Sequence, residues 1–237
     1  MASSTTVVVA LKFQDGVLIG ADSQASDLVV GVRWPVEKLA RVGQHPLVVA
    51  FSGSMGMGQR ARKQLEDLDL RTNTFKKPEL VQAAMDRALQ PVYRAIQENS
   101  IPPGRPFHVQ EIGLTALAAF GAGNACHILE REINGDSCFH DYFHSIGSGS
   151  QTAYAVFQTL GGSRLAGLSE AQALMALLRI LRTSVNVEMS GVSEPFSVFV
   201  VTASQVRQLS QDEVEAHIQA VDEWESDERE RFFGKRL

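Results

Sequence analysis

Two hydrophobic regimes alternate along the chain. Val7 to Phe13 and Val17 to Ala21 are nearly all apolar and rich in β-branched residues, and Gln14-Asp15-Gly16 stands between them. That pattern predicts a β-hairpin, and the near-continuous apolar runs predict that both of its faces are covered. Leu28 to Val32 is a further candidate strand. Lys38 to Val42 and Leu47 to Phe51 predict a strand pair about the turn Gly43-Gln44-His45-Pro46.

The period then changes. Polar Ser52-Gly53-Ser54 opens a helix that carries Leu65 and Leu68 inward, and Pro78-Glu79 starts a second helix at a position that favours proline. Leu80, Ala84, Leu89, Val92 and Ile96 form the apolar stripe of that second helix, and Pro91 predicts a kink. Ile101 to Pro106 is a loop on composition. Leu114 to Phe120 and Cys126 to Glu130 are strands, and Phe139 to Ile146 reads as one more. Gly147-Ser148-Gly149-Ser150 turns into a helix carrying Ala153, Val156, Phe157 and Leu160, which Gly161-Gly162 ends. Ser169 to Gln172 is a capping-box pattern for a helix with Leu174, Leu177, Leu178 and Leu181 inside. Phe196 to Ala203 and Gln205 to Leu209 close the strands, and a second capping box at Ser210 and Glu213 opens a helix with Val214, Ile218, Val221 and Trp224 on one side. Strands and pairs of helices in this order predict an α+β, layered domain.

Composition narrows the classes. With 44% hydrophobic and 21% charged residues over 237 positions, one domain with a sizeable core is expected. A formal charge of −5 argues against a dedicated nucleic-acid binder. Cys126 and Cys138 are too few for a disulfide framework, so free thiols are expected. No apolar run is long enough for a membrane span, and the start of the chain lacks the regions of a signal peptide, so a cytoplasmic protein is the expectation.

The candidate chemistry lies between Thr5 and Lys38. Asp22 follows Thr6 by 16 positions, and Lys38 follows Asp22 by 16. Thr6 reads as a nucleophile that becomes the chain's own N-terminus, with Asp22 and Lys38 as its electrostatic frame. A threonine hydroxyl needs a base, and an N-terminal threonine carries one in its α-amine. Unperturbed, that amine titrates near about 7.7–8.0, and a neighbouring ammonium lowers it.

This stretch resembles the start of proteasome β subunits and of the related HslVU-type peptidase. Ala50-Phe51-Ser52-Gly53, and Ser145 to Ser150 followed by Ala153-Tyr154, match in the same order, so the likeness runs from about Thr5 to about Arg207. The resemblance implies the four-layer αββα sandwich of N-terminal-nucleophile hydrolases and a bacterial-type proteasome homologue. It implies a threonine endopeptidase in a homo-oligomeric ring or double ring, fed by an ATP-dependent unfoldase or cap, acting on protein and peptide substrates. No cofactor, metal, nucleic acid or membrane partner is expected. Gly53 would offer its backbone N–H to the oxyanion, Ser148 would help relay the proton, and Ser190 matches a supporting serine. Ala25, Val36, Ala40, Phe51 and Met55 would line an apolar pocket, implying cleavage after hydrophobic residues. Residues 1–5 would be a short propeptide or loose N-terminus, residues 6–209 the β-type domain and residues 210–237 a helical extension.

Some residues depart from the family pattern. Thr5 stands where that pattern has glycine before the nucleophile, and a β-branched residue resists the positive φ of a self-cleaving turn. A bulge in the first strand would make Thr5 the nucleophile, with Ser4 before it. Val187 replaces a frequent Asp, and Gln24 an Arg, as in the HslVU-type peptidase. A catalytically silent ring subunit and a small-amide hydrolase are the alternatives. Cys138, His140 and His144 raise a metal reading, but their spacing is no recognised zinc pattern and they read as strand-face or interface residues.

Overall fold

The apolar hairpin forms as β1 (Val8–Phe13) and β2 (Gly16–Ala21), paired antiparallel from Val8 opposite Ala21 to Phe13 opposite Gly16. The computed structural model describes residues 6–27, 32–67, 70–100, 113–132, 134–187 and 194–234. Every β2 residue is buried, because the strand is covered on both faces. β3 (Gln24–Asp27) and β4 (Val32–Pro35) make a separate two-stranded ribbon. Of the candidate strand Leu28 to Val32, all but its last residue lies outside the described residues.

β5 (Leu39–Arg41), β6 (Leu47–Gly53), β7 (Leu114–Ala122), β8 (Ala125–Arg131) and β9 (Ser137–His140) follow one another in a five-stranded antiparallel sheet. The other five-stranded sheet is ordered β10 (Phe143–Ile146), β1, β2, β11 (Ser197–Val201), β12 (Val206–Gln208). The segment Phe139 to Ile146, expected as one strand, is therefore two. It breaks at Asp141-Tyr142 and passes from the edge of one sheet to the edge of the other.

Three cores separate four layers. Val8, Ala10, Ile19, Val48, Leu117 and Ile128 interlock between the sheets. Outside the β5–β9 sheet lie α1 (Met55–Glu66) and α2 (Pro78–Ser100), packed through Leu65, Met85, Leu89 and Ile96. Outside the other lie α3 (Ser150–Thr159), α4 (Glu170–Val187) and α5 (Gln211–Phe233), packed through Phe157, Leu177, Leu181 and Val214. Each such fully buried side chain contributes about 1.5–3 kcal/mol. The expected αββα sandwich is thus the observed architecture.

Local signals hold with few exceptions. Ser210 and Glu213 form both bonds of a capping box, and Ser169 and Gln172 make the same reciprocal pair. Ser54 caps α1 without a side-chain hydrogen bond, so the polar residues there do not close the helix end as expected. Leu80 is 46% exposed, one step off the stripe that Val81, Met85 and Leu89 form. Helix α2 runs through Pro91 as one element. The C-terminal helix packs on its own subunit: Val214 and Val221 enter the α4 core, and the Arg179 guanidinium lies 4.2 Å from the centre of the Trp224 ring.

Candidate active site

Register brings the candidate residues together. Because β1 and β2 pair with Val8 opposite Ala21, the next residue on each side, Val7 and Asp22, also meet. The Val7 N–H donates to Asp22 Oδ1 at 2.9 Å, and the Asp22 N–H donates to the Val7 carbonyl at 3.3 Å. Asp22 is thereby fixed beside the residue that follows Thr6. The Gln24 N–H donates to its second oxygen at 3.2 Å. Lys38, just before β5, donates to both Asp22 oxygens at 2.7 Å.

The pair is buried, with side-chain exposures of 5% for Lys38 and 0% for Asp22. Burial pulls the Lys38 ammonium below the ordinary lysine range, and Asp22 opposes that pull. Burial likewise pushes the Asp22 carboxyl up, against Lys38 and the two backbone N–H donors. Charges this close and this desolvated depend on each other, and losing either partner strands the other.

The other face of Thr6 meets the turn after β10. The Thr6 nitrogen donates to Ser148 Oγ at 3.2 Å, and the Gly149 N–H donates to the Thr6 carbonyl at 3.2 Å. Gly147 makes this approach possible. It has φ +98°, and a Cβ there would lie 2.1 Å from the Thr6 carbonyl oxygen. Thr6 is 1% exposed, enclosed between the end of the hairpin and this turn.

Thr6, Lys38 and Gly53 border one cavity of about 240 Å³. Val36, Ala40, Phe51 and Met55, expected in the pocket, line it too. Ser148 reaches Thr6 by its hydrogen bond but is not part of the cavity wall. The side chain of Ala25, and Thr5 and Ser190 altogether, lie outside the described residues. The cavity also contains Glu37 and Arg62, joined at 3.2 Å across its rim. Neither is among the candidate residues of the sequence. Met55, Gln59 and Arg62 recur at helical spacing on α1, which would have placed Arg62 on the cavity side.

The start of α1 also borders the cavity through Gly53, Ser54 and Met55. A helix N-terminus favours negative charge, which suits a site where an oxyanion develops. Gly53 turns the chain there with φ +116°, and a Cβ would fall 1.9 Å from the Gly113 carbonyl oxygen. Gly53→Ala is therefore expected to destabilise the fold by about 1–3 kcal/mol or more, read as a lower urea midpoint at unchanged m-value. An unchanged midpoint would show that the turn relaxes without cost.

No curated protein sequence matches the chain. Among solved structures it is similar to the Anbu (Gly-1) mutant from Hyphomicrobium sp. strain MC1, with TM-score 0.72, 16% identity and 98% of each chain covered. At that identity the likeness is one of fold. The family described as Proteasome subunit matches residues 1–198. By that match, which spans both sheets up to β11 and every residue placed around the cavity, the chain belongs to the proteasome subunit family.

Proposed function

We propose that this protein is a threonine endopeptidase of the N-terminal-nucleophile type, working as a subunit of a self-enclosed ring and cleaving after apolar residues. One observation carries the reading: Thr6 and Lys38 share a cavity, with Lys38 held by both oxygens of a buried Asp22. Removal of residues 1–5 turns the Thr6 nitrogen into an α-amine. That amine takes the proton of its own Oγ, and Oγ attacks the substrate carbonyl carbon. The amine then gives the proton to the departing amine of the substrate, and water hydrolyses the ester that remains. Lys38 disfavours a second positive charge beside it and so keeps the amine neutral at working pH. Ser148, at 3.2 Å from the nitrogen, accepts and returns protons at that position. The oxyanion faces the Gly53 turn and the start of α1.

The substrate side chain before the cut enters between Val36, Ala40, Phe51 and Met55, with Leu114 as a further apolar wall. Glu37 and Arg62 at the rim give polar contacts to the peptide backbone or to the following side chain.

A second reading is a silent ring subunit, favoured by Thr5 standing where the family pattern has glycine. Intact mass of the assembled protein separates the two. The enzyme reading expects a chain beginning at Thr6 together with turnover of apolar peptides. A chain that keeps Ser4-Thr5 ahead of Thr6 and turns over no peptide supports the silent subunit. Turnover of small amides alone supports the small-amide hydrolase.

A further inference from the structure

Away from the Thr6 cavity, three side chains from three strands converge at one edge of the sandwich. Glu130 lies in β8, His140 ends β9 and His144 lies in β10. β9 is the edge of one sheet and β10 the edge of the other. Glu130 sits two residues beyond Ile128, which pairs with His140, so Glu130 and His140 share the face that Ile128 buries between the sheets. His144 stands opposite Ala10, two residues before Ile146, and shares the face that both bury in the same core. The two sheet edges therefore present these groups to each other.

The ligand atoms meet closely. Glu130 Oε2 is 3.1 Å from His140 Nε2 and 2.9 Å from His144 Nε2, and all three atoms lie within 4.8 Å of one another. The two imidazoles stack with centroids 3.7 Å apart. His144 is 8% exposed, and its Nε2, though near Glu130, has no aligned hydrogen-bond partner. Its other nitrogen, Nδ1, is 2.7 Å from the Tyr154 hydroxyl. That contact orients the ring and leaves Nε2 as the end that faces the cluster, the arrangement metal-binding histidines usually have.

We propose that Glu130, His140 and His144 form a binding site for a divalent transition ion, with Zn²⁺ the best-suited probe. Two imidazole nitrogens and one carboxylate oxygen are a donor set for borderline ions; Ca²⁺ and Mg²⁺ call for oxygen ligands. Tetrahedral metal–ligand bonds of about 2.0–2.2 Å place neighbouring ligand atoms about 3.3–3.6 Å apart, so the Glu130 oxygen and the two imidazole nitrogens need to shift by only a few tenths of an ångström from 3.1 and 2.9 Å to take an ion. Three protein ligands leave a position for water. Binding displaces any proton on the two Nε2 atoms and joins β8 and β9 to β10, tying the edges of the two sheets on either side of Asp141-Tyr142. Cys138 faces the same side but its sulfur is not one of the converging atoms. None of the three ligands borders the Thr6 cavity, so the site does not depend on the proposed peptidase activity.

The test uses the full chain, stripped with chelator and dialysed. Titration calorimetry with Zn²⁺ should give one ion per chain, and Zn²⁺ should raise the melting temperature. Glu130→Gln keeps the side-chain shape, and His140→Ala removes a ligand whose side chain is 21% exposed. Each should weaken binding at least tenfold and cancel the melting shift, with circular dichroism unchanged. Co²⁺ should produce visible absorption bands in the parent protein that both variants lose. Absence of binding heat and of a melting shift in the parent overturns the proposal. So does equal binding in parent and variants, which would place the ion elsewhere.

Discussion

Protein prepared with alanine as its first residue in place of Thr6 is expected to lose peptide hydrolysis by a factor on the order of 10⁴–10⁶, with its fold unchanged. The size follows from the proposed chemistry. Alanine keeps the α-amine, the contact of that nitrogen with Ser148 and the Asp22 bond to Val7, so the frame around the position survives. Only the hydroxyl is lost, and with it the nucleophile of the proposed mechanism. What remains is binding and oxyanion stabilisation, which in serine proteases stripped of their nucleophile leave about 10³–10⁴ over water. Thr6→Ser keeps both the hydroxyl and the amine and should keep measurable turnover. The measurement is hydrolysis of a peptide with an apolar residue before the cleaved bond, on protein whose N-terminal residue has been read by mass. Wild-type turnover by the alanine protein would remove the threonine mechanism altogether.

The residues of this frame were legible because they depend on a hairpin. A two-strand unit with a short polar turn has one register that keeps its apolar faces buried, and that register sets Asp22 beside Val7. Lys38 was legible from its spacing after Asp22 and from the resemblance, while the ribbon between them leaves no periodic signal of where the chain returns. The count of four layers came with the resemblance, and only a layered α+β arrangement could be inferred from paired helices between groups of strands. The passage from β9 to β10 could not. Both halves carry a strand pattern, and nothing in Phe139 to Ile146 marks that its two ends belong to different sheets. For the same reason Glu130 was missed beside His140 and His144. It lies ten positions before His140 and comes near only through the β8–β9 pairing and the closure of the sandwich. Leu80 shows a smaller failure: Leu80-Val81 and Ala83-Ala84-Met85 set apolar residues side by side, so the apolar face is wide enough that its phase slips by one residue.

Lys38→Met is expected to have two effects that can be separated. The first is on stability. Methionine fills much of the lysine stem's volume but leaves Asp22, with 0% side-chain exposure, without its cation. Removing one member of a buried pair costs about 3–5 kcal/mol, because the other charge is stranded. Burial already pushes the Asp22 carboxyl up, and without Lys38 it rises further, so Asp22 takes up a proton on folding and the loss becomes smaller at low pH. The sign is fixed by that shift: a carboxyl raised above its unfolded value is destabilising above its pKa and loses that penalty as pH falls through it. The second effect is on rate. Without the Lys38 ammonium the Thr6 amine loses a neighbouring positive charge, its pKa rises, and the rising limb of the pH–rate profile moves to higher pH. The double variant Asp22→Asn/Lys38→Met divides the two. An uncharged pair should recover most of the lost urea stability, since neither charge is left buried alone. It should not recover turnover at neutral pH, because the amine still lacks its neighbour. Recovery of both together would mean that Lys38 serves the fold alone and that the proton at Thr6 is managed by another group.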